Sequence, residues 1–192
     1  MSERGYKIRN QAAMHFLTFR VVFWVDVFTR KEFKDVFIDT LKYCIENKDL
    51  VLYEYVIMPD HVHLLVSSNC GNLSGAVRDL KRTTSSKIRK MLDQSGHSKF
   101  AWLKNLFKLA SERNQRVENF QLWEHQSHPI EVIDYRMQMA IEKYIHNNPV
   151  KAGWVNKPEE YLYSSARNHF NLEAVIDIES SKILKSKETN NK

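Results

Sequence analysis

Apolar and polar positions along this chain follow two periods, and the switches between them mark out its elements. From His15 to Val25 the residues are densely β-branched and aromatic, which predicts a buried first strand. Phe33, Phe37, Leu41 and Ile45 then recur every four residues, so Arg30 to Asn47 reads as an amphipathic helix, with Thr29 placed to cap it. Leu50 to Val56 returns to strand character. A turn at Met58-Pro59-Asp60 leads into a further strand, His61 to Ser67, and the two should pair as a hairpin. After Gly71 a helical stripe of Ala76, Val77, Leu80, Thr84, Ile88, Met91 and Leu92 runs until Asp93-Gln94-Ser95-Gly96 breaks it. A helix from Lys99 to Glu112, carrying Trp102, Leu103, Leu106, Phe107 and Ala110, precedes a polar loop from Arg113 to Glu118.

Phe120 to His125 alternates and predicts another strand, extended or followed by Pro129 to Val132. Asp134 or a neighbour opens a last helix to Asn147, which Pro149 is expected to stop. Strand, helix, hairpin, helix, strand, helix is the order of an α+β fold: a ferredoxin-like antiparallel sheet with helices packed mainly on one face. No internal repeat interrupts it. We expect residues 1–170 to form one domain and 171–192 a loosely ordered C-terminal tail.

Composition narrows the setting. With 192 residues, 43% of them apolar, the chain can bury one sizeable core, and no run approaches the roughly 18 apolar residues of a membrane span. A cytoplasmic protein without a membrane partner is expected. Cys44 and Cys70 lack zinc-site spacing and read as free thiols.

Charge adds a partner. The chain nets +6, and the segment from Arg78 to Arg113 holds ten basic residues against three acids, so it carries the whole excess. Such a stretch can be a solvated helix face, but this concentration points to a nucleic-acid footprint formed by Arg78, Lys81, Arg82, Lys87, Arg89, Lys90 and Arg113.

Candidate chemistry centres on His61 and His63. One residue apart on a strand, they point to the same side and offer two imidazoles to one metal ion, although two half-exposed histidines would show the same spacing. Tyr144 and Asn148, four apart, share a face of the last helix below Ile133, Met137 and Ile141. On spacing alone Tyr144 also reads as a core tyrosine, and Asn148 as a helix C-terminal residue. Tyr135 falls on the opposite side. Asp60 reads as a turn residue pointing away from the histidines, and His125, His128 and His146 as surface residues.

The run Met58-Pro59-Asp60-His61-Val62-His63-Leu64-Leu65 resembles the signature of the HUH endonucleases, specifically the single-tyrosine transposases and their REP-associated relatives. Tyr144-Ile145-His146-Asn147-Asn148-Pro149-Val150-Lys151-Ala152-Gly153, then Pro158-Glu159-Glu160-Tyr161 and Ser164-Ser165, extend the resemblance from about Phe16 to Phe170. It implies the same ferredoxin-like fold. It also implies that Tyr144 is the nucleophile and that His61, His63 and Asn148 hold a divalent ion, Mg²⁺ or Mn²⁺. Insertion-sequence members usually carry glutamine where this chain has Asn148, and the REP-associated group carries asparagine.

The implied activity is nicking and strand transfer on single-stranded or hairpin DNA through a 5′-phosphotyrosine, by a monomer or a homodimer. Hydrolysis of a small phosphate or amide would need further metal ligands, and zinc deamination would need a Pro-Cys-x-x-Cys that is absent. The other class of function is a catalytically inactive nucleic-acid-binding module of the same fold.

Overall fold

A computed structural model describes residues 7–94, 100–113, 119–125 and 127–179. Strand β1 (His15–Arg20) is followed by helix α1 (Lys31–Asn47), the hairpin β2 (Leu50–Ile57) and β3 (His61–Ser68), and helices α2 (Leu73–Gln94) and α3 (Ala101–Glu112). A short β4 (Ile130–Glu131), the long α4 (Tyr135–Lys151) and a single turn, α5 (Ala166–His169), complete it. The antiparallel sheet has the order β2-β3-β1-β4, the ferredoxin-like arrangement expected.

Alternation sorts the strands into two cores. Leu17, Phe19, Val62, Leu64 and Val66 face α1, α2 and α3 with Phe33, Phe37, Leu41, Leu80, Ile88 and Phe107. Phe16, Tyr53, Val56 and Leu65 face the other way, under Met137, Ile141 and Ile145 of α4. Three of the four long helices therefore cover one face, and α4 alone covers the other. In β2 the register shifts between Leu52 and Glu54, a β-bulge. It lets Leu52 and Tyr55, three apart, point into the same core.

Several boundaries differ from those the sequence suggests. β1 ends at Arg20 instead of Val25, because the Val21 and Val22 amides leave the ladder to bond the carbonyls of Asp60 (2.8 Å) and Leu122 (2.9 Å). The run from Phe120 to His125 makes one bridge, Val21 to Trp123, and is otherwise not a strand. Its apolar side chains are buried against the first core without a ladder.

Asp134 does cap α4, its carboxylate accepting from the Met137 amide at 2.7 Å. The helix nevertheless runs through Pro149 to Lys151. A proline this close to the end removes one backbone bond, and the turn closes beyond it through Ala152 N–H to Asn148 O and a left-handed Gly153, φ 74°. Ile133, expected on the apolar stripe, precedes the helix and is 77% exposed.

Residues 171–179, expected to begin a tail, pack on the β2 side of the sheet, with Ile176 buried and the Glu179 amide donating to Leu52 O at 2.7 Å. The remainder, 180–192, lies outside the described residues, as do most of the expected helix break before Lys99 and of the loop after Arg113. Among the described residues no helix is long and apolar enough to cross a membrane. Cys44 is buried and Cys70 exposed, both free.

Candidate active site

His61 and His63 leave β3 on the α4 side of the sheet, their ring centroids 4.7 Å apart. Each ring is held at Nδ1. Asp60 Oδ1 lies 2.6 Å from His61 Nδ1, and the hydroxyl of Thr18, directly opposite in the ladder, lies 2.9 Å from His63 Nδ1. Asp60 therefore turns back to orient its neighbour, contrary to its reading as a turn residue pointing away. It precedes the strand, so the alternation of side chains does not govern it.

With Nδ1 engaged, Nε2 is the nitrogen left to each ring, and that of His63 is buried with no hydrogen-bond partner among the described residues. Burial first, then the charges of His61 and Arg20, push the His63 pKa down to about 3. The ring is neutral at physiological pH, as a metal-binding imidazole must be. A carboxylate or hydroxyl behind Nδ1 with Nε2 presented forward is the usual arrangement around such a ligand.

Helix α4 brings Tyr144 to the same place. Its ring stands edge-on to His63 at 5.2 Å and to Phe16 at 6.0 Å, with Lys151 Nζ 5.7 Å above it, and it keeps 43% of its surface exposed. Asn148, half-buried, follows one turn later on this helix. Tyr135 opens the helix nine residues earlier, about 13 Å along the axis.

The sequence reading missed a second cluster beside it. Glu54 is buried and accepts from His146 Nε2 (2.8 Å), His169 Nε2 (2.8 Å) and Ser165 Oγ (2.6 Å). Burial pushes its carboxyl up, but these three donors outweigh burial and hold it below the ordinary value. The Glu54 hydrogen bond holds His169 above its ordinary value, and Glu142 approaches its Nδ1 at 3.9 Å. His146 is thus no surface residue.

Glu54, His146 and His169 bring three ligand atoms within 4.8 Å of one another, a geometry able to hold a divalent ion. Those atoms already satisfy each other, however, whereas His63 Nε2 has nothing. The unpartnered nitrogen makes the His61–His63 pair the better fit.

The basic residues divide. Arg78, Arg82 and Arg89 line one side of a groove of about 540 Å³ between α2 and residues 120–125. Lys81 also lines it but is anchored, its Nζ donating to Glu124 O and Ser127 Oγ, both at 3.0 Å. Those two bonds tie its ammonium to the fold, and burial pushes its pKa down to about 8. Lys87 and Lys90 are exposed and do not line the groove; Lys87 sits toward Cys44 of α1. Arg113, at the end of α3, lies over the Phe23 ring at 5.4 Å.

The sequence profile described as transposase IS200-like matches residues 11–121, more than half the chain, a span that includes the histidine pair and the arginine groove but stops before Tyr144. Among solved structures, a REP-associated tyrosine transposase bound to a REP hairpin is similar, with a TM-score of 0.62 over 94% of each chain at 15% identity. A protein from Deinococcus radiodurans described as a transposase matches at a TM-score of 0.40 and 19% identity, over 77% of this chain and 96% of that one. No curated protein sequence matches. At 15% identity the first likeness is one of fold.

Proposed function

The chain belongs to the IS200-like transposase family, and from that premise we propose that it is a metal-dependent single-stranded DNA endonuclease and strand transferase acting on hairpin DNA, with Tyr144 as nucleophile. One observation carries the reading. Tyr144 packs at 5.2 Å against the imidazole whose Nε2 is buried without a partner, so a hydroxyl-bearing ring and a metal-ready nitrogen converge on one point of the surface.

Phosphodiester cleavage needs charge on the phosphoryl oxygens neutralised, the attacking oxygen aligned with the leaving one, and the departing oxygen stabilised. A divalent ion, Mg²⁺ or Mn²⁺, held by His61, His63 and Asn148 would supply the first and the last of these. Tyr144 supplies the attack. Its phenolic oxygen bonds to phosphorus as the bond to the 3′-oxygen breaks. The phenol loses its proton to solvent, the 3′-oxygen gains one, and the products are a 5′-phosphotyrosine and a free 3′-hydroxyl. Another 3′-hydroxyl reverses the exchange and rejoins the strand without an external energy source. Arg78, Arg82 and Arg89 hold the DNA through its phosphates. Hairpin DNA is the favoured substrate because the protein of similar fold was solved with a REP hairpin bound. Asn148, where insertion-sequence members usually carry glutamine, supports the REP-associated branch.

A denaturing gel of labelled hairpin oligonucleotides with single-stranded flanks tests this. Tyr144→Phe should lose both cleavage and the covalent adduct while still binding DNA, and Tyr135→Phe should keep all three. An adduct in Tyr144→Phe would name another tyrosine. Cleavage by the unaltered protein without any adduct would make it a hydrolytic nuclease.

A further inference from the structure

The turn after β1 contains two consecutive aromatic residues in the left-handed region, Phe23 at φ 58° and Trp24 at φ 56°. Side chains with a Cβ disfavour this conformation, and such a pair persists only where its surroundings impose it. They do so here. The amides of Val21 and Val22 are tied to Asp60 O and Leu122 O, and the Phe28 amide to Pro59 O at 2.8 Å. The turn is thereby clamped to the residues that precede His61. The strain buries neither ring: Val22, Val27 and Phe28 enter the core, while Phe23 and Trp24 stay 40% and 54% exposed.

Each ring carries an arginine. Arg20 lies 5.2 Å over Trp24, and Arg113 lies 5.4 Å over Phe23. Arg20 is paired with His61 in the ladder, so it leaves the sheet on the histidine side. It also reaches Glu124 at 3.7 Å, a residue lining the arginine groove. Arg20 thus links the histidine side of the sheet to a residue that lines the groove, with Trp24 beneath its guanidinium.

We propose that Trp24 and Phe23 form a stacking site for unpaired bases of the single-stranded DNA next to the cleaved phosphate, with Arg20 and Arg113 holding the intervening phosphates. An aromatic face beside a guanidinium matches a nucleotide in both its parts, base and phosphate, and takes any base because each has a π-face. The site rests on the function proposed above, because its ligand is that reaction's substrate.

Fluorescence anisotropy of two labelled DNAs, a blunt hairpin and the same hairpin with a single-stranded extension, tests the proposal. Phe23→Gly and Trp24→Gly suit the left-handed backbone and remove only exposed rings, so melting temperatures should hold or rise. Each should weaken binding of the extended DNA by roughly 5- to 150-fold, the range found for losing one stacked base. Blunt-hairpin affinity should stay unchanged, and Trp24→Phe should restore much of the loss. Equal losses on both DNAs, or none on either, would overturn the stacking site. If the unaltered protein bound neither DNA, the proposed function would fall and the stacking site with it. Ring-dependent binding without cleavage would keep the stacking site and remove the Tyr144 reaction.

Discussion

Replacing Glu54 by glutamine keeps the shape of the buried group, removes its charge and turns one of its two accepting oxygens into a donating amide. The carboxylate accepts three bonds of 2.6 to 2.8 Å from His146, His169 and Ser165. A bond to a charged partner contributes about 1.5–3 kcal/mol and a neutral one about 0.5–1.5, so the substitution forfeits about 1 kcal/mol per bond. The His169 side chain is 36% exposed, and solvent screens its share. The expected loss is therefore about 2–3 kcal/mol.

Its pH dependence has a defined sign. Glu54 is held below its ordinary 4.5, so its contribution is present above that value and lost as pH falls through the folded pKa. His169 is raised above 6.5, so its contribution is complete below that value and lost as pH rises through the folded pKa. The difference between the two proteins should be widest between these values and narrower at pH 8. It should not vanish there, because His146 and Ser165 still donate. Urea denaturation followed by circular dichroism at pH 5.5 and pH 8 measures this. At about 2–4 °C per kcal/mol for a chain of this size, the melting temperature at pH 5.5 should drop by roughly 4–12 °C. A loss below about 1 kcal/mol, or one equal at both pH values, would refute the assigned bonding. Because His146 follows Tyr144 by two residues, the same bonds help fix α4 over the sheet.

Asp60→Asn should weaken Mn²⁺ affinity about 10- to 100-fold through loosened orientation of His61, and calorimetric titration checks it. An unchanged affinity would remove Asp60 from the site. His61→Ala and His63→Ala should each abolish Mn²⁺-dependent cleavage with little change in the circular dichroism spectrum; cleavage at the original rate would refute their role as ligands. Changing Arg78, Arg82 and Arg89 together to alanine should reduce the slope of log affinity against log salt by about 2–3, near 0.9 per phosphate contact. Lys81→Ala should instead lower the melting temperature and leave that slope unchanged, because its ammonium bonds the protein itself.

What the sequence made readable was local. His61 and His63 share a face because a strand repeats every two residues, and Tyr144 and Asn148 lie one turn apart because a helix repeats every 3.6. The convergence of Tyr144 with His63 depended on which face of the sheet α4 covers, a tertiary fact that these periods do not encode. A helical wheel with one buried side sends His146 to solvent, but residues 164–179 pack along α4 and β2 and give the helix a second. Glu54 carried a signal, as a lone acid amid Leu52, Tyr53, Tyr55 and Val56, whereas nothing local links it to His169. Lys81 follows Leu80 in a basic stretch, and only the path of residues 124–127 shows that its charge is spoken for.

The β-bulge in β2 makes Tyr53 the residue the strand can lose without changing phase. With Tyr53 deleted, Leu52 and Glu54 would become ordinary neighbours and every later side chain would keep its side, Glu54 toward His146 and Tyr55 toward the main core. Only the Tyr53–Ser67 hydroxyl contact and one ring of the smaller core would go with it. Deleting Val56 instead would leave the strand a residue short, because the extra residue of the bulge does not adjoin it. The bulge is thus a place where the strand can shed a residue while the histidines of the paired strand stay in register.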